Sequence, residues 1–282
     1  MRLAMTGAGG KLGGAVARAL LNRAPAADLR LGTRSPASLA DLERRGAAVV
    51  GANFDEPRSL DRLFEGCAVA LVISGDAPNA PRVAQHAAAF EAARRAGVGR
   101  IVYTSFAGAG PDSRFLIAPS HVESEAMLRS LGPDFTILRN NLYAENIMIE
   151  AARASGELAQ PGPQGRVAYI TYDDVARATA GTLLDTGHEN QTYELTGPEA
   201  LDHFQVAERL SVAWGRPIKV RDLEPGAYAD GLVQRGLPPF IVELLVSLHA
   251  AIGAGEFAAV HPDAAHLARQ PVEPVSRFLF RS

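Results

Sequence analysis

One short stretch constrains the fold of this chain more than any other: Thr6-Gly7-Ala8-Gly9-Gly10-Lys11-Leu12-Gly13-Gly14, which follows an apolar run and opens a helical one. A tight turn from strand to helix needs residues without a Cβ, and Gly7, Gly10 and Gly13 recur at Gly-x-x-Gly-x-x-Gly spacing. Gly7 and Gly10 let the backbone come close to a pyrophosphate, and Gly13 lets helix and sheet pack closely. The start of the helix offers unpaired N–H donors to an anion. The alternative is a glycine-rich turn that binds nothing; the strand before it and the helix after it favour a βαβ unit built round a phosphate site.

The rest of the first half fits that unit. Short apolar runs at 2–6, 29–33, 47–52, 69–74, 101–105 and 135–139 predict strands, and helical spacing over 12–22, 36–45, 57–64, 81–96 and 121–131 predicts helices between them. Such alternation requires right-handed crossovers and a parallel sheet covered on both faces, a doubly wound α/β fold of Rossmann type. Beyond Asn140 the pattern loosens. A Gly and Pro cluster spans 156–165, helices are expected at 173–184, 202–214 and 238–252, and strands at 192–196 and 218–221. Asp173 and Asp174 open one of these helices and read as N-capping residues. We expect residues 1–140 to form a nucleotide-binding domain and 141–282 a smaller mixed α/β substrate region, with 167–196 returning to the first domain. No long polar linker divides them, so a cleft is expected at the carboxyl ends of the strands.

Composition narrows the function classes. The 282 residues are 47% hydrophobic and 21% charged, enough apolar mass for a large core. A formal charge of −3 gives no global attraction to polyanions, which argues against nucleic acid or an anionic membrane as partner. The apolar stretch 240–252 is interrupted by Glu243 and His249 and falls short of the roughly 20 residues a membrane span needs, so it reads as an amphipathic core helix. Residues 1–10 are too poor in apolar side chains for a signal peptide. The single cysteine, Cys67, reads as a small buried hydrophobe and fits a reducing, cytoplasmic compartment. No metal is expected: the seven histidines lack His-Glu-x-x-His spacing, and His261 with His266 has no third ligand nearby. No Gly-x-Ser-x-Gly elbow supports a serine hydrolase.

About twenty residues beyond the loop, an NAD site would place Asp or Glu for the ribose hydroxyls. Here the second predicted strand ends in Gly32-Thr33-Arg34-Ser35. Arg34 offers a permanently charged donor fork to a 2′-phosphate and Ser35 a second donor, so NADPH is the expected cofactor; a plain surface arginine is the alternative.

Read with Ile101-Val-Tyr-Thr-Ser105, His121-Val-Glu-Ser-Glu125 and Thr136-Ile-Leu-Arg-Asn-Asn-Leu-Tyr-Ala-Glu-Asn146, these residues resemble the NmrA-like group of atypical short-chain dehydrogenases over nearly the whole chain. Val72-Ile-Ser-Gly75, Leu138-Arg-Asn-Asn-Leu-Tyr143 and Gly187-His-Glu-Asn-Gln-Thr-Tyr193 are similar to its quinone-reducing and triphenylmethane-reducing members. The resemblance implies NADPH held by Gly7, Gly10, Leu12 and Arg34, with Phe54 near the adenine and Ser74 and Gly75 lining the dinucleotide groove. Thr6, Gly9, Lys11, Gly13, Ser35, Asn53, Thr104, Ser105 and Asn140 complete the expected cofactor set. Where the family often has Ala-Asp-Tyr after the third strand, this chain reads Ala52-Asn53-Phe54.

The expected catalytic residues are His121, Ser105 and Tyr143. Ordinary short-chain dehydrogenases use Tyr-x-x-x-Lys to donate a proton, but the only lysines, Lys11 and Lys219, do not follow a tyrosine by four. His121 and Glu125 stand at the corresponding place. As an i, i+4 pair they would share one helix face, with Glu125 raising the His121 pKa to give an acid near neutrality; a surface ion pair is the alternative. Ser105 would contact nicotinamide and substrate, or merely cap its strand. Asn140, Asn141, Tyr143 and Asn146 would grip carbonyls, or form an Asn-rich turn. Tyr103 alternates inward and reads as core. The implied activity is hydride transfer from NADPH to a small electron-poor acceptor, a quinone first. The alternatives are a dye or carbonyl reductase and a redox sensor that binds NADP(H) without turnover. A homodimer is a permitted assembly.

Overall fold

The computed structural model describes residues 1–147 and 149–281; Met148 and Ser282, both inside the expected 141–282 region, lie outside the described residues. Seven parallel strands form one sheet: β1 (Leu3–Met5), β2 (Leu29–Thr33), β3 (Ala48–Gly51), β4 (Val69–Ile73), β5 (Arg100–Phe106), β6 (Asp134–Asn140) and β8 (Gln191–Leu195), in the order β3-β2-β1-β4-β5-β6-β8. Helices α1 (Lys11–Leu21), α2 (Ala40–Arg44), α3 (Pro57–Phe64), α4 (Asn79–Arg95), α5 (Ala118–Ser130) and α7 (Tyr172–Leu184) make the connections. This is the doubly wound α/β arrangement expected from the alternation.

Both faces of the sheet are apolar, as a sheet covered on two sides requires. Leu3, Met5, Leu29, Leu31, Leu71 and Val102 pack beneath α1, α7 and α11 (Asp263–Ala268). On the opposite face Ala4, Ala70, Val72, Ile101, Tyr103 and Ile137 meet α3 and α4. Cys67 is buried in that second core. The period of two along each strand therefore decides which helix layer a side chain enters, and it sends Tyr103 towards α4 and α5.

The C-terminal part contains α6 (Ile149–Ser155), β7 (Glu157–Gln160), α8 (His203–Trp214), β9 (Lys219–Asp222), α9 (Pro225–Gln234), α10 (Pro239–Gly253) and α12 (Val275–Leu279). β7 and β9 form a separate parallel pair, while β8 leaves this part to pair with β6. Several expectations need correcting. The 36–45 helix is a 3-10 turn, Pro36–Leu39, followed by the five-residue α2. The Gly and Pro cluster at 156–165 begins with strand β7, whose Leu158 is buried. Thr171, not Asp173 or Asp174, caps α7: its Oγ1 accepts the Asp174 amide, and the Asp174 carboxylate accepts the Thr171 hydroxyl and pairs with Arg177. Helix α5 starts at Ala118, so His121 lies in its first turn. Among the described residues no helix is long and apolar enough to cross a membrane.

Candidate active site

Strand order reverses between β1 and β4, and the glycine loop occupies the crevice there. Gly7 has a φ of +66°, a conformation that favours glycine. A Cβ on Gly13 would lie 2.0 Å from the Gly7 carbonyl oxygen, so α1 approaches the turn at a distance only glycine permits. A Cβ on Gly9 would lie 2.6 Å from Thr33 Oγ1. Gly10 begins α1 without a side-chain cap, and the amides of Lys11, Leu12 and Gly13 meet no acceptor among the described residues. Unpaired N–H groups at the positive end of a helix make an anion site.

Other expected cofactor residues take distinct places. Thr6 and Thr104 face inward: their Oγ1 atoms accept the amides of Ile73 (2.9 Å) and Ser74 (3.0 Å), so β1 and β5 clamp the end of β4. Arg34 and Ser35 are exposed at the end of β2, and the Arg34 guanidinium has no partner among the described residues. The Asn53 side chain accepts the Asp55 amide at 3.2 Å and closes a local turn ahead of α3. Phe54 is half-buried, its ring about a van der Waals contact from where a Cβ on Gly75 would sit. The residues fit NADPH: an uncapped helix start for the diphosphate, an unpaired guanidinium for the 2′-phosphate, and a buried, unpartnered Asn140 Oδ1 at the end of β6. Asn140 Nδ2 donates to the Tyr143 hydroxyl (3.0 Å), and Tyr143 stacks on Tyr172 with ring centroids 4.3 Å apart. Burial pushes the Tyr143 phenol well above its ordinary value, so it stays protonated. Asn141 Nδ2 donates to the Phe257 carbonyl and is structural, while Asn146 is exposed beside a depression of about 380 Å³ that Glu145, Ile147 and Ile149 also line.

Between β5 and helices α4 and α5 lie two side-chain networks. In the charged one, the buried Glu125 carboxylate takes both Nε (2.9 Å) and Nη2 (2.8 Å) of Arg139 and the Ser105 hydroxyl (2.7 Å); Arg139 Nη1 reaches Glu194 at 3.1 Å. In the uncharged one, Tyr103 Oη lies 2.9 Å from His121 Nδ1 and 3.3 Å from His86 Nδ1, and His86 Nε2 lies 3.1 Å from Ser74 Oγ. Arg82 Nη1 donates to Ser74 Oγ and to the Gly75 carbonyl.

These contacts correct two expectations. His121 and Glu125 do not pair: β6 brings the Arg139 fork to Glu125, and His121 turns to Tyr103 instead. His121 is therefore no acid titrating near neutrality, since burial and the nearby Arg82 charge push its pKa down to about 3. Ser105 is buried with its hydroxyl proton committed to Glu125, which favours a structural role over a contact with substrate.

A family model described as NAD(P)H-binding matches residues 7–186, from the glycine loop through β4, β5 and the whole of α7. The chain belongs to the NAD(P)H-binding family. It is 32% identical over 255 residues to quinone oxidoreductase 2 of Escherichia coli (strain K12), covering 90% of this chain and 88% of that one. The structure of an NADPH-dependent quinone oxidoreductase from Escherichia coli complexed with NADPH matches with a TM-score of 0.94 and 30% identity over 99% of each chain. That of Citrobacter sp. triphenylmethane reductase complexed with NADP(H) matches at 0.92 and 29% identity, over 100% of this chain and 99% of that one. The resemblance seen in the sequence motifs is thus borne out.

In this NAD(P)H-binding chain, sequence reasoning missed Arg82 and His86 and took Tyr103 for plain core. One signal was present. Arg82 and His86 stand four apart in an alanine-rich helix, on the face that the structure buries.

Proposed function

We propose that the protein is a cytoplasmic NADPH-dependent oxidoreductase that reduces a small electron-poor acceptor, a quinone first, by direct hydride transfer. Residues 1–140 hold the cofactor and 141–282 shape the acceptor side, with 167–196 completing the sheet. The loop amides take the diphosphate, Arg34 selects the 2′-phosphate, and Asn140 with Tyr143 orients the ring end. Bound NADPH supplies the hydride.

The observation that carries the choice of acceptor is that, among the described residues, the histidines and tyrosines packed about β5 and the end of β6 have no ready proton to give. His86 and His121 are both pushed down to about 3, chiefly by burial, and the Tyr103 and Tyr143 phenols are pushed up by the same cause. A carbonyl taking hydride builds charge on one oxygen and needs a general acid. A quinone spreads that charge over its ring and can take protons from water later. Triarylmethyl cations become neutral and need no proton. Both the quinone-reducing and the dye-reducing relatives fit this rule. The test follows NADPH oxidation with a panel of quinones, triarylmethyl dyes and aldehydes. Quinones and dyes should turn over at least about 10²-fold faster than aldehydes. Aldehydes as the best acceptors would overturn the reading, and tight NADPH binding without turnover on any acceptor would replace it with the sensor.

A further inference from the structure

Each link of the uncharged network has a direction, set by which group has a proton to give. Arg82 Nη1 can only donate, so Ser74 Oγ accepts from it at 3.1 Å and turns its own proton elsewhere. The Gly75 carbonyl is 3.4 Å away and already receives Arg82, whereas His86 Nε2 stands at 3.1 Å. Ser74 therefore donates to His86 Nε2, which leaves the ring proton of His86 on Nδ1. The other end gives the same answer independently. Ser124 donates its hydroxyl proton to the Ser120 carbonyl at 2.7 Å, so at 2.8 Å it must accept from His86 Nδ1. His86 Nδ1, carrying the proton it gives to Ser124, cannot accept from Tyr103 at 3.3 Å, so Tyr103 keeps its own proton for His121 Nδ1 at 2.9 Å. Because Nδ1 of His121 accepts, its proton sits on Nε2.

That nitrogen has no partner among the described residues, and it is not one of the sealed unpartnered polar atoms of the interior. Its ring lies 6.0 Å from that of Phe106, the last residue of β5. Reversing every link would break the 2.7 Å Ser124 bond and send the Ser74 proton to the 3.4 Å carbonyl.

We propose that Arg82, Ser74, His86 and Tyr103 form a one-way hydrogen-bond chain that fixes His121 as a neutral imidazole with its proton on Nε2. His121 then serves the acceptor as a hydrogen-bond donor and not as a proton source, and Tyr103 and His86 are positioning residues. The proposal rests on the reductase reading above and deepens it. Arg82 is 5% exposed, joins no ion pair among the described residues and has an unpartnered Nε. Its charge, which only the Asp76 carboxylate opposes from a distance, acts on both rings and disfavours a second proton on either, in the same sense as burial. A preformed neutral donor aimed at developing charge needs no rearrangement during the reaction.

The first test needs no turnover. In protein labelled with ¹⁵N-histidine near neutral pH, His121 and His86 should show opposite tautomers, protonated on Nε2 and Nδ1 respectively, with signals assigned by their loss in His121→Gln and His86→Gln. The reverse tautomers, or an imidazolium at either ring, would overturn the proposal. Tyr103→Phe should leave His121 in a mixture of tautomers and lower kcat with NADPH and 1,4-benzoquinone about 10-fold, with the KM for NADPH unchanged. A KM rise with kcat intact would assign Tyr103 to packing alone and overturn its positioning role. His121→Leu, which has no donor, should lose about 10²-fold in kcat. His121→Gln, which keeps a neutral N–H, should stay within about 10-fold of wild type; equal losses for Gln and Leu would mean the proton itself is transferred and would overturn the neutral-donor role. Wild-type protein that turns over no acceptor yet shows the two tautomers would remove the reductase reading and leave the chain standing.

Discussion

On the α1 side of the sheet, the groups left open to a ligand are backbone amides and one exposed guanidinium, and the side chains that matter there are the ones glycine lacks. On the opposite side, between β5 and helices α4 and α5, the polar groups are side chains, most of them buried and satisfied by one another. A site built from backbone tolerates no added atoms but needs no solvation to be replaced. A site built from buried polar side chains tolerates substitution only where every abandoned partner finds another. The two regions should therefore fail in different ways.

The largest expected effect lies in the loop. Gly13→Val places its Cβ 2.0 Å from the Gly7 carbonyl, and backbone cannot yield as a flexible side chain can. We expect a loss of at least about 4 kcal/mol of stability, or no folded protein, read by urea denaturation. Gly10→Ala is the contrast: its Cβ meets only the Gly7 oxygen, at 3.3 Å. It should fold and lose NADPH affinity, and a variant that folds and binds NADPH as tightly as wild type would detach the loop from the cofactor.

Next comes acid sensitivity, which belongs to the buried side. An unfolded histidine takes up a proton near pH 6.5, while His86 and His121 in the folded state resist until about 3. As pH falls between those values the unfolded state binds more protons, so stability is complete above about 6.5 and drains away towards 3. The slope is about 1.4 kcal/mol per pH unit for each ring. His203 and His249, pushed down to about 4 by burial, act in the same direction. His121→Phe should flatten the profile by roughly 3.5 kcal/mol between pH 6.5 and 4. Parallel profiles for the two proteins would place the His121 ring in water.

The charged network should fail more modestly. Glu125→Gln leaves Arg139 with Glu194 alone and should cost about 3 kcal/mol, because one partner of a buried pair loses its countercharge. Glu194→Gln, at a carboxylate about one quarter exposed, should cost less than about 1 kcal/mol. Similar losses for both would mean that burial does not decide the worth of this network.

What could be read in advance follows the same division. Gly7, Gly10 and Gly13 sit within seven residues of one another, so their spacing is a local signal, and strand–helix alternation is local as well. The Glu125–Arg139 pair joins α5 to β6, and the hydrogen-bond chain joins Ser74, just past β4, to residues of α4, β5 and α5. No spacing rule within one element records such a meeting. The expected His121–Glu125 pair illustrates the error this invites: i, i+4 spacing permits contact, but a competing arginine from the neighbouring strand takes the carboxylate. Strand β7 escaped notice because only four residues form it and glycines and prolines follow, so its pairing with β9 had to be supplied by tertiary structure.

Arg34 gives the smallest effect on the fold and the sharpest separation of the two regions. Its side chain is exposed and has no partner among the described residues, so removing it leaves no buried group unsatisfied, and Arg34→Ala should leave the urea midpoint unchanged. Binding should change instead. A charge-assisted contact to the 2′-phosphate is worth roughly 1.5 to 3 kcal/mol, or on the order of 10- to 100-fold in NADPH affinity. NADH lacks that phosphate and should bind the variant as it binds wild type. Because the guanidinium stands in water, the NADPH advantage should also shrink as salt is raised from low to about 1 M, whereas the loop amides, shared by both cofactors, should hold their contribution more evenly. Titrating both cofactors against both proteins at two salt concentrations separates the cases. Equal losses for NADPH and NADH would move the 2′-phosphate contact away from Arg34, and a lowered urea midpoint would show that the residue has a partner in the fold.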